Sequence, residues 1–228
     1  MTPAPAIRRV ALKPEFAEHV AQRLAALQAE LAAILPEPGP IVLEIGCGHG
    51  HFLARYAAEF PAKTCLGVDF SGDRIGRAQR KAHRAGLTNC HFIRAEAREL
   101  LASLPPGTTF AEIWILFPDP WPKKRHHKNR LMQPAFLNLL APRAGEGTRL
   151  YFRTDHVEYF KAAADFLPGL SFWQPAGDAA WPLEHETVFQ ARADAYQSLV
   201  AVRTSHPARS GHKPAPVPPT PAAPKSPA

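Results

Sequence analysis

Residues 42–52 read Val42-Leu43-Glu44-Ile45-Gly46-Cys47-Gly48-His49-Gly50-His51-Phe52, a short apolar run that passes through three alternate glycines into a segment of helical character. Glycine takes positive φ without a Cβ penalty and lets the backbone pass close to a ligand, so the stretch predicts a strand, a tight turn and a helix with room at the turn. A dinucleotide site asks for G-x-G-x-x-G. Here the third glycine comes one place early and His51 stands in its expected position, which argues against a nicotinamide cofactor. The G-K-[ST] ending of a phosphate-binding loop is also missing.

On both sides of this turn, short apolar segments alternate with helical ones. The patterning predicts strands at 41–45, 64–70, 89–94, 113–117 and 148–153, and helices at 50–59, 73–85, 97–104, 133–140 and 156–166. Three further strands are expected at 171–173, 187–189 and 196–202. Such alternation specifies an α/β fold, a doubly wound, Rossmann-like sheet that is mostly parallel with helices on both faces. A chain that closes on strands predicts an antiparallel edge. Upstream, Phe16, Val20, Leu24, Leu27, Leu31 and Leu35 recur at helical spacing between Pro14 and Pro36, a packing helix. The organisation that follows is an N-terminal helical extension (1–37), a main domain (38–205) and a Pro-rich basic tail (206–228) with eight prolines in 23 residues, expected to be disordered.

At 228 residues with 46% apolar and 21% charged side chains, the chain is long enough for one cored domain with a small addition. Three cysteines, Cys47, Cys65 and Cys90, make neither an even disulfide framework nor a C-x-x-C pair, and read as reduced thiols of a cytoplasmic protein. Met1 to Phe16 lacks the apolar core of a secretory signal, and the longest strongly apolar run, Ile113 to Phe117, excludes a membrane span, which needs roughly 18 residues. The net charge of +7 is unevenly placed: 121–130 hold +5, 203–228 hold +4, and the remainder sums to −2. A dense cationic segment in an otherwise acidic chain points to an anionic partner met at a defined place.

The pattern E-x-G-x-G-x-G over Glu44, Gly46, Gly48 and Gly50 resembles the loop by which class I methyltransferases hold S-adenosylmethionine. Asp69 ends the next strand, where a carboxylate can accept both hydroxyls of a ribose. Glu96 follows the third strand and is placed to face an adenine, although an acid in the first turn of a helix would look the same. Further on, Phe117-Pro118-Asp119-Pro120-Trp121-Pro122-Lys123-Lys124-Arg125-His126-His127-Lys128-Asn129-Arg130 sets a carboxylate between two prolines, then a flat aromatic surface, then five cations. Aromatic and cationic side chains at this density suit a nucleic-acid grip, with Trp121 stacking and Lys124, Arg125, Lys128 and Arg130 meeting phosphates. His126 and His127 have no third ligand at a sensible spacing, so no metal is expected.

The combination F-P-D-P-W-x-K-x-R-H-x-K-x-R resembles the signature of the bacterial tRNA (guanine-N7-)-methyltransferases, over about residues 38–203. Phe152-Arg153-Thr154-Asp155 resembles the family's T-D element, and Thr187-Val188-Phe189-Gln190-Ala191-Arg192 its T-x-F-E-x-R element, with Gln190 where the family usually has glutamate. The resemblance implies a methyltransferase with S-adenosylmethionine as donor and tRNA as partner, acting on N7 of a guanine in the variable loop. It implies Asp119 at the reacting centre beside the cofactor and Lys123, Asp155, Thr187 and Gln190 at the substrate; a monomer or weak homodimer is expected. Two other readings stay open here: an RNA-binding module without activity, and a methyltransferase for an exocyclic amine. The intact glycine loop speaks against the first. The lack of an N-P-P-Y-type tetrapeptide at Phe117-Pro118-Asp119-Pro120-Trp121 speaks against the second.

Overall fold

The computed structural model describes residues 14–177, 179–185, 190–191 and 193–205. Its centre is a seven-stranded sheet in the order β3-β2-β1-β4-β5-β7-β6. Strands β1 (Pro40–Ile45), β2 (Thr64–Asp69), β3 (Cys90–Arg94), β4 (Thr109–Leu116) and β5 (Ala144–Thr154) run parallel. β7 (Gln197–Arg203) pairs antiparallel with β5, and β6 (Trp173–Pro175) antiparallel with β7, giving the expected edge.

Side-chain alternation along the strands divides the core into two layers. Ile41, Leu43 and Ile45 of β1 face one layer, where Leu27, Leu31 and Leu35 at and just beyond the C-terminal half of α1 (Pro14–Ile34) pack with α4 (Ala97–Ser103), α5 (Pro134–Leu140) and α6 (Val157–Phe166). Val42 faces the other layer, built on α2 (His51–Glu59) and α3 (Gly72–Arg84) with Trp114 and Tyr151 stacked at 4.0 Å between ring centres. The N-terminal helix is thus anchored to the sheet by its own apolar stripe, and Arg23 adds an ion pair to Glu99. Cys47, Cys65 and Cys90 all lie in the second layer as free thiols. Burial raises the pKa of each, that of Cys65 to about 12.

Three strands depart from the sequence expectation. β4 starts at Thr109 and β5 at Ala144, each four residues early: buried Phe110 pairs with Ile41 and Ala144, and the register shift that follows, from Ala144 to Arg149 on β5, breaks the continuous apolar run that marks a strand in sequence. β6 lies at Trp173–Pro175 rather than 171–173, since buried Trp173 begins the pairing; its proline is tolerated on the edge. The expected strand at 187–189 lies outside the described residues, as does the tail from 206.

Chain order reverses between β1 and β4, so the carboxyl ends of β1, β2 and β4 open onto one crevice, the usual place for a ligand in an open α/β sheet.

Candidate active site

A cavity of about 390 Å³ fills that crevice. Gly46, Gly48, Asp69, Phe70 and Arg74 line one side, Ala95 and Glu96 the floor beyond β3, and Phe117, Pro118, Asp119 and Trp121 the other side. The three glycines of the turn have different tasks. All have positive φ, 78° at Gly46, 53° at Gly48 and 64° at Gly50. A Cβ on Gly46 or Gly48 would have no atom within 4 Å, so these two leave open space at the cavity wall. A Cβ on Gly50 would fall 2.5 Å from Phe92 and 2.8 Å from Ala78, so this glycine serves the packing of α2 onto its neighbours.

Asp69 is buried, and its carboxylate is fixed from two directions. Oδ2 accepts from the Gly48 amide at 3.1 Å, Oδ1 from the Ser71 amide at 2.9 Å, and the Arg74 guanidinium stands 3.7 Å away. One carboxylate therefore ties the glycine turn to the start of α3 while still lining the cavity. Glu96 stands both at the start of a helix and at the cavity. Its Oε2 caps α4 by accepting from the amides of Arg98 (2.8 Å) and Glu99 (3.3 Å), and the residue also lines the cavity. With Asp69, Glu96 and Asp119 against Arg74, the wall is predominantly acidic. It disfavours a phosphate-bearing cofactor and suits a cationic one with hydroxyls to be bound, so these residues fit S-adenosylmethionine.

Glu44 is placed otherwise than expected. The two-residue period of β1 turns it away from the cavity, toward the layer of α2, where it is 4% exposed. Its Oε2 has no hydrogen-bond partner among the described residues. Burial raises its pKa to about 8, opposed by the Leu53 backbone amide and reinforced by Asp69. The donor-free fold thus retains a proton that the unfolded chain, with an ordinary value of 4.5, gives up. Stability should therefore fall as pH rises from about 5 through 8, by on the order of a few kcal/mol. Glu44→Gln, which mimics the protonated carboxyl, should remove most of that slope. Melting temperatures of both proteins across pH 5–9 test this, and parallel curves would show that Glu44 is not the source.

The loop after β4 is set by backbone geometry unusual for its residues. Phe117 (φ 48°) and Trp121 (φ 44°) are the only described non-glycine residues with positive φ, and they bracket Pro118-Asp119-Pro120. Two arginines hold this conformation, and neither was distinguishable in sequence from a surface cation. Arg153, at the end of β5, accepts the Phe117 amide on its carbonyl at 2.8 Å. Its buried guanidinium lies 4.0 Å from the Trp181 ring centre and 4.7 Å from that of Tyr196, and binds Glu184 through two nitrogens at 3.0 and 3.1 Å. It also donates to Ser198 at 2.9 Å and to the Gln190 carbonyl oxygen at 3.0 Å. Gln190 is thus a partner of Arg153, and its amide reaches the Tyr196 hydroxyl at 3.1 Å.

Arg130 corrects the sequence expectation. It is only 5% exposed, lies over the Tyr159 ring at 4.7 Å, and donates from Nε to the Pro120 carbonyl at 2.8 Å. It clamps the loop from inside and offers no phosphate contact; the ring of α6 that draws it in lies far away in sequence. The other cations, Lys123, Lys124, Arg125 and Lys128, are exposed on or beside a 3₁₀ turn (Lys124–Asn129), and the Trp121 ring meets His126 edge-on at 5.8 Å. Asp155 is exposed at the end of β5, away from the cavity lining, and Thr187 lies outside the described residues.

Fold and cavity together define a class I methyltransferase: a sheet of this order, a glycine turn open on the ligand side, and carboxylates on the two adjacent strand ends. A solved 16S rRNA (adenine(1408)-N(1))-methyltransferase from Catenulisporales acidiphilia matches the fold with a TM-score of 0.52 at 20% identity, covering 78% of this chain and 92% of that one. The family model described as "Putative methyltransferase" matches residues 38–187. A tRNA (guanine-N(7)-)-methyltransferase of Halorhodospira halophila is 39% identical over 68% of this chain and 66% of its own length. That of Treponema pallidum is 36% identical over 77% of this chain and 73% of its own length. The chain belongs to this tRNA (guanine-N7-)-methyltransferase family, and it spans about two thirds of the length of such relatives.

Proposed function

We propose that this chain transfers a methyl group from S-adenosylmethionine to N7 of a guanine in the variable loop of tRNA. The observation that carries the reading is a single cavity bounded on one side by the open glycine turn and Asp69, and on the other by Asp119 and Trp121 beside exposed cations. When bound, S-adenosylmethionine supplies an electrophilic methyl group on a sulfonium.

Gly46, Gly48, Asp69 and Glu96 are the residues suited to hold the donor: the glycines by leaving room, the acids by accepting from hydroxyl and amine groups. Guanine N7 has an in-plane lone pair and no proton, so the acceptor needs no general base. The protein's share is orientation and charge. Asp119 suits a ring that becomes positive, and Trp121 offers a stacking face. Lys123, Lys124, Arg125 and Lys128 meet backbone phosphate. Bulk tRNA incubated with labelled donor, followed by nucleoside analysis, should yield 7-methylguanosine; a methyl group on another atom would overturn the reading.

Replacing Lys123, Lys124 and Arg125 together by alanine should weaken tRNA binding and flatten its salt dependence by about one unit of slope per lost contact. A titration series with unchanged slope would place the RNA elsewhere.

A further inference from the structure

We propose that the solvent face of α3 is a second docking surface for the phosphate backbone of tRNA, one that holds the body of the RNA rather than the reacting base. The proposal rests on tRNA being the substrate.

The helix reads Gly72-Asp73-Arg74-Ile75-Gly76-Arg77-Ala78-Gln79-Arg80-Lys81-Ala82-His83-Arg84, with five cations and one acid. Ile75, Ala78 and Ala82 are buried against the sheet. Arg77, Arg80 and Arg84, spaced three and four residues apart, form one exposed stripe on the opposite side. Lys81 turns inward and donates to the His49 carbonyl at 3.0 Å. The acid is already engaged, with Asp73 lying 3.2 Å from Arg77. Among the described residues, neither Arg80 nor Arg84 has a carboxylate partner. Together with Gln79 and His83, they line a shallow depression of about 450 Å³.

Like charges four residues apart, Arg77 with Lys81 and Arg80 with Arg84, destabilise a helix by a few tenths of a kcal/mol each. Glu44 faces Lys81 from the buried side, but among the described residues no carboxylate pairs with Arg80 or Arg84, which makes the stripe complementary to an external polyanion. Two observations select RNA. The apolar side of α3 is consumed by the core, which leaves nothing to enter a bilayer. The stripe is also continuous with the candidate active site. Arg74 lines the cavity, and Arg84 lies ten residues on, about 15 Å along the helix axis. A polyanion whose target base occupies the cavity can extend along this row.

The experiment compares wild type with R80E/R84E and with R80K/R84K, using full-length tRNA, across a salt series and in steady-state methylation. R80E/R84E should raise the KM for tRNA about tenfold or more and reduce the salt slope by about two. The rate at saturating tRNA, the donor affinity and the melting temperature should stay at wild-type values, and R80K/R84K should retain most of the affinity. Unchanged affinity and slope in R80E/R84E would overturn the proposal, as would a lower saturating rate with affinity intact. A wild-type protein that fails to methylate tRNA would instead overturn the reading on which the proposal rests.

Discussion

Asp119→Asn should give a folded protein that binds donor and tRNA and methylates roughly 10²–10³-fold more slowly, the scale of one lost electrostatic contact at a developing charge. The amide keeps the shape and part of the hydrogen bonding of the carboxylate and loses only its charge. Since the acceptor nitrogen carries no proton, the deficit should be the same at every pH at which the wild-type carboxylate is ionised. Asp119→Ala should be at least as slow. If Asp119 served only to shape its loop, the loss would appear in the melting temperature, with normal turnover in the folded fraction. Single-turnover rates at saturating donor and tRNA, beside thermal melts, separate the outcomes. Near-normal methylation by a well-folded Asp119→Asn protein would exclude the electrostatic role. The loop itself has independent supports, the Arg153 carbonyl on Phe117 and the Arg130 guanidinium on Pro120, so the substitution leaves its frame in place.

The second large effect concerns two glycines two residues apart. Gly50→Ala forces a Cβ into positive φ and to 2.5 Å from Phe92, so strain and overpacking add. A loss of about 3 kcal/mol in stability is expected, from about 1–2 for the backbone and 1–3 for the clash. Gly48→Ala meets no neighbour and carries only the backbone cost, yet places a methyl group where the cavity wall is open. It should lose only the backbone cost of about 1–2 kcal/mol in stability, less than Gly50→Ala, and lose donor affinity. Calorimetric titration and thermal melts on both variants read the contrast, and a reversed order of stabilities would refute the division of labour.

The legible part of this molecule was the part written in local pattern. The strand–glycine–helix turn, the alternating elements and the Asp119 segment all announce themselves within a dozen residues. Asp69, Glu96 and Asp119 do meet at one crevice, because strand ends of a doubly wound sheet converge at the reversal of chain order. The illegible part was tertiary. Arg130 ends a run of cations and looked solvated, yet Tyr159 of α6 supplies the ring that buries it. Arg153 sits beside a recognisable Thr-Asp pair, but its partners Glu184, Gln190, Ser198, Trp181 and Tyr196 come from a segment 28–45 residues later. For Glu44 a signal existed: strand alternation groups it with Val42, on the face away from the cavity. The early starts of β4 and β5 had a weak one: Phe110 and Ala144 are buried and paired, but the irregularity through Gly145, Glu146 and Gly147, with Gly147 at φ 83°, interrupts the apolar pattern.

The three cysteines have a practical consequence for labelling. Thiolate is the form that reacts with alkylating and oxidising reagents, and burial holds all three thiols protonated at neutral pH and out of reach. The folded chain is therefore chemically silent toward maleimides without any cysteine being removed. A single thiol introduced on an exposed position, such as Lys124→Cys in the cationic turn or His83→Cys on α3, becomes the one reactive handle on the protein. A fluorophore or cross-linker placed there reports the approach of RNA to each surface separately, on a background that leaves the native sheet and its packing intact.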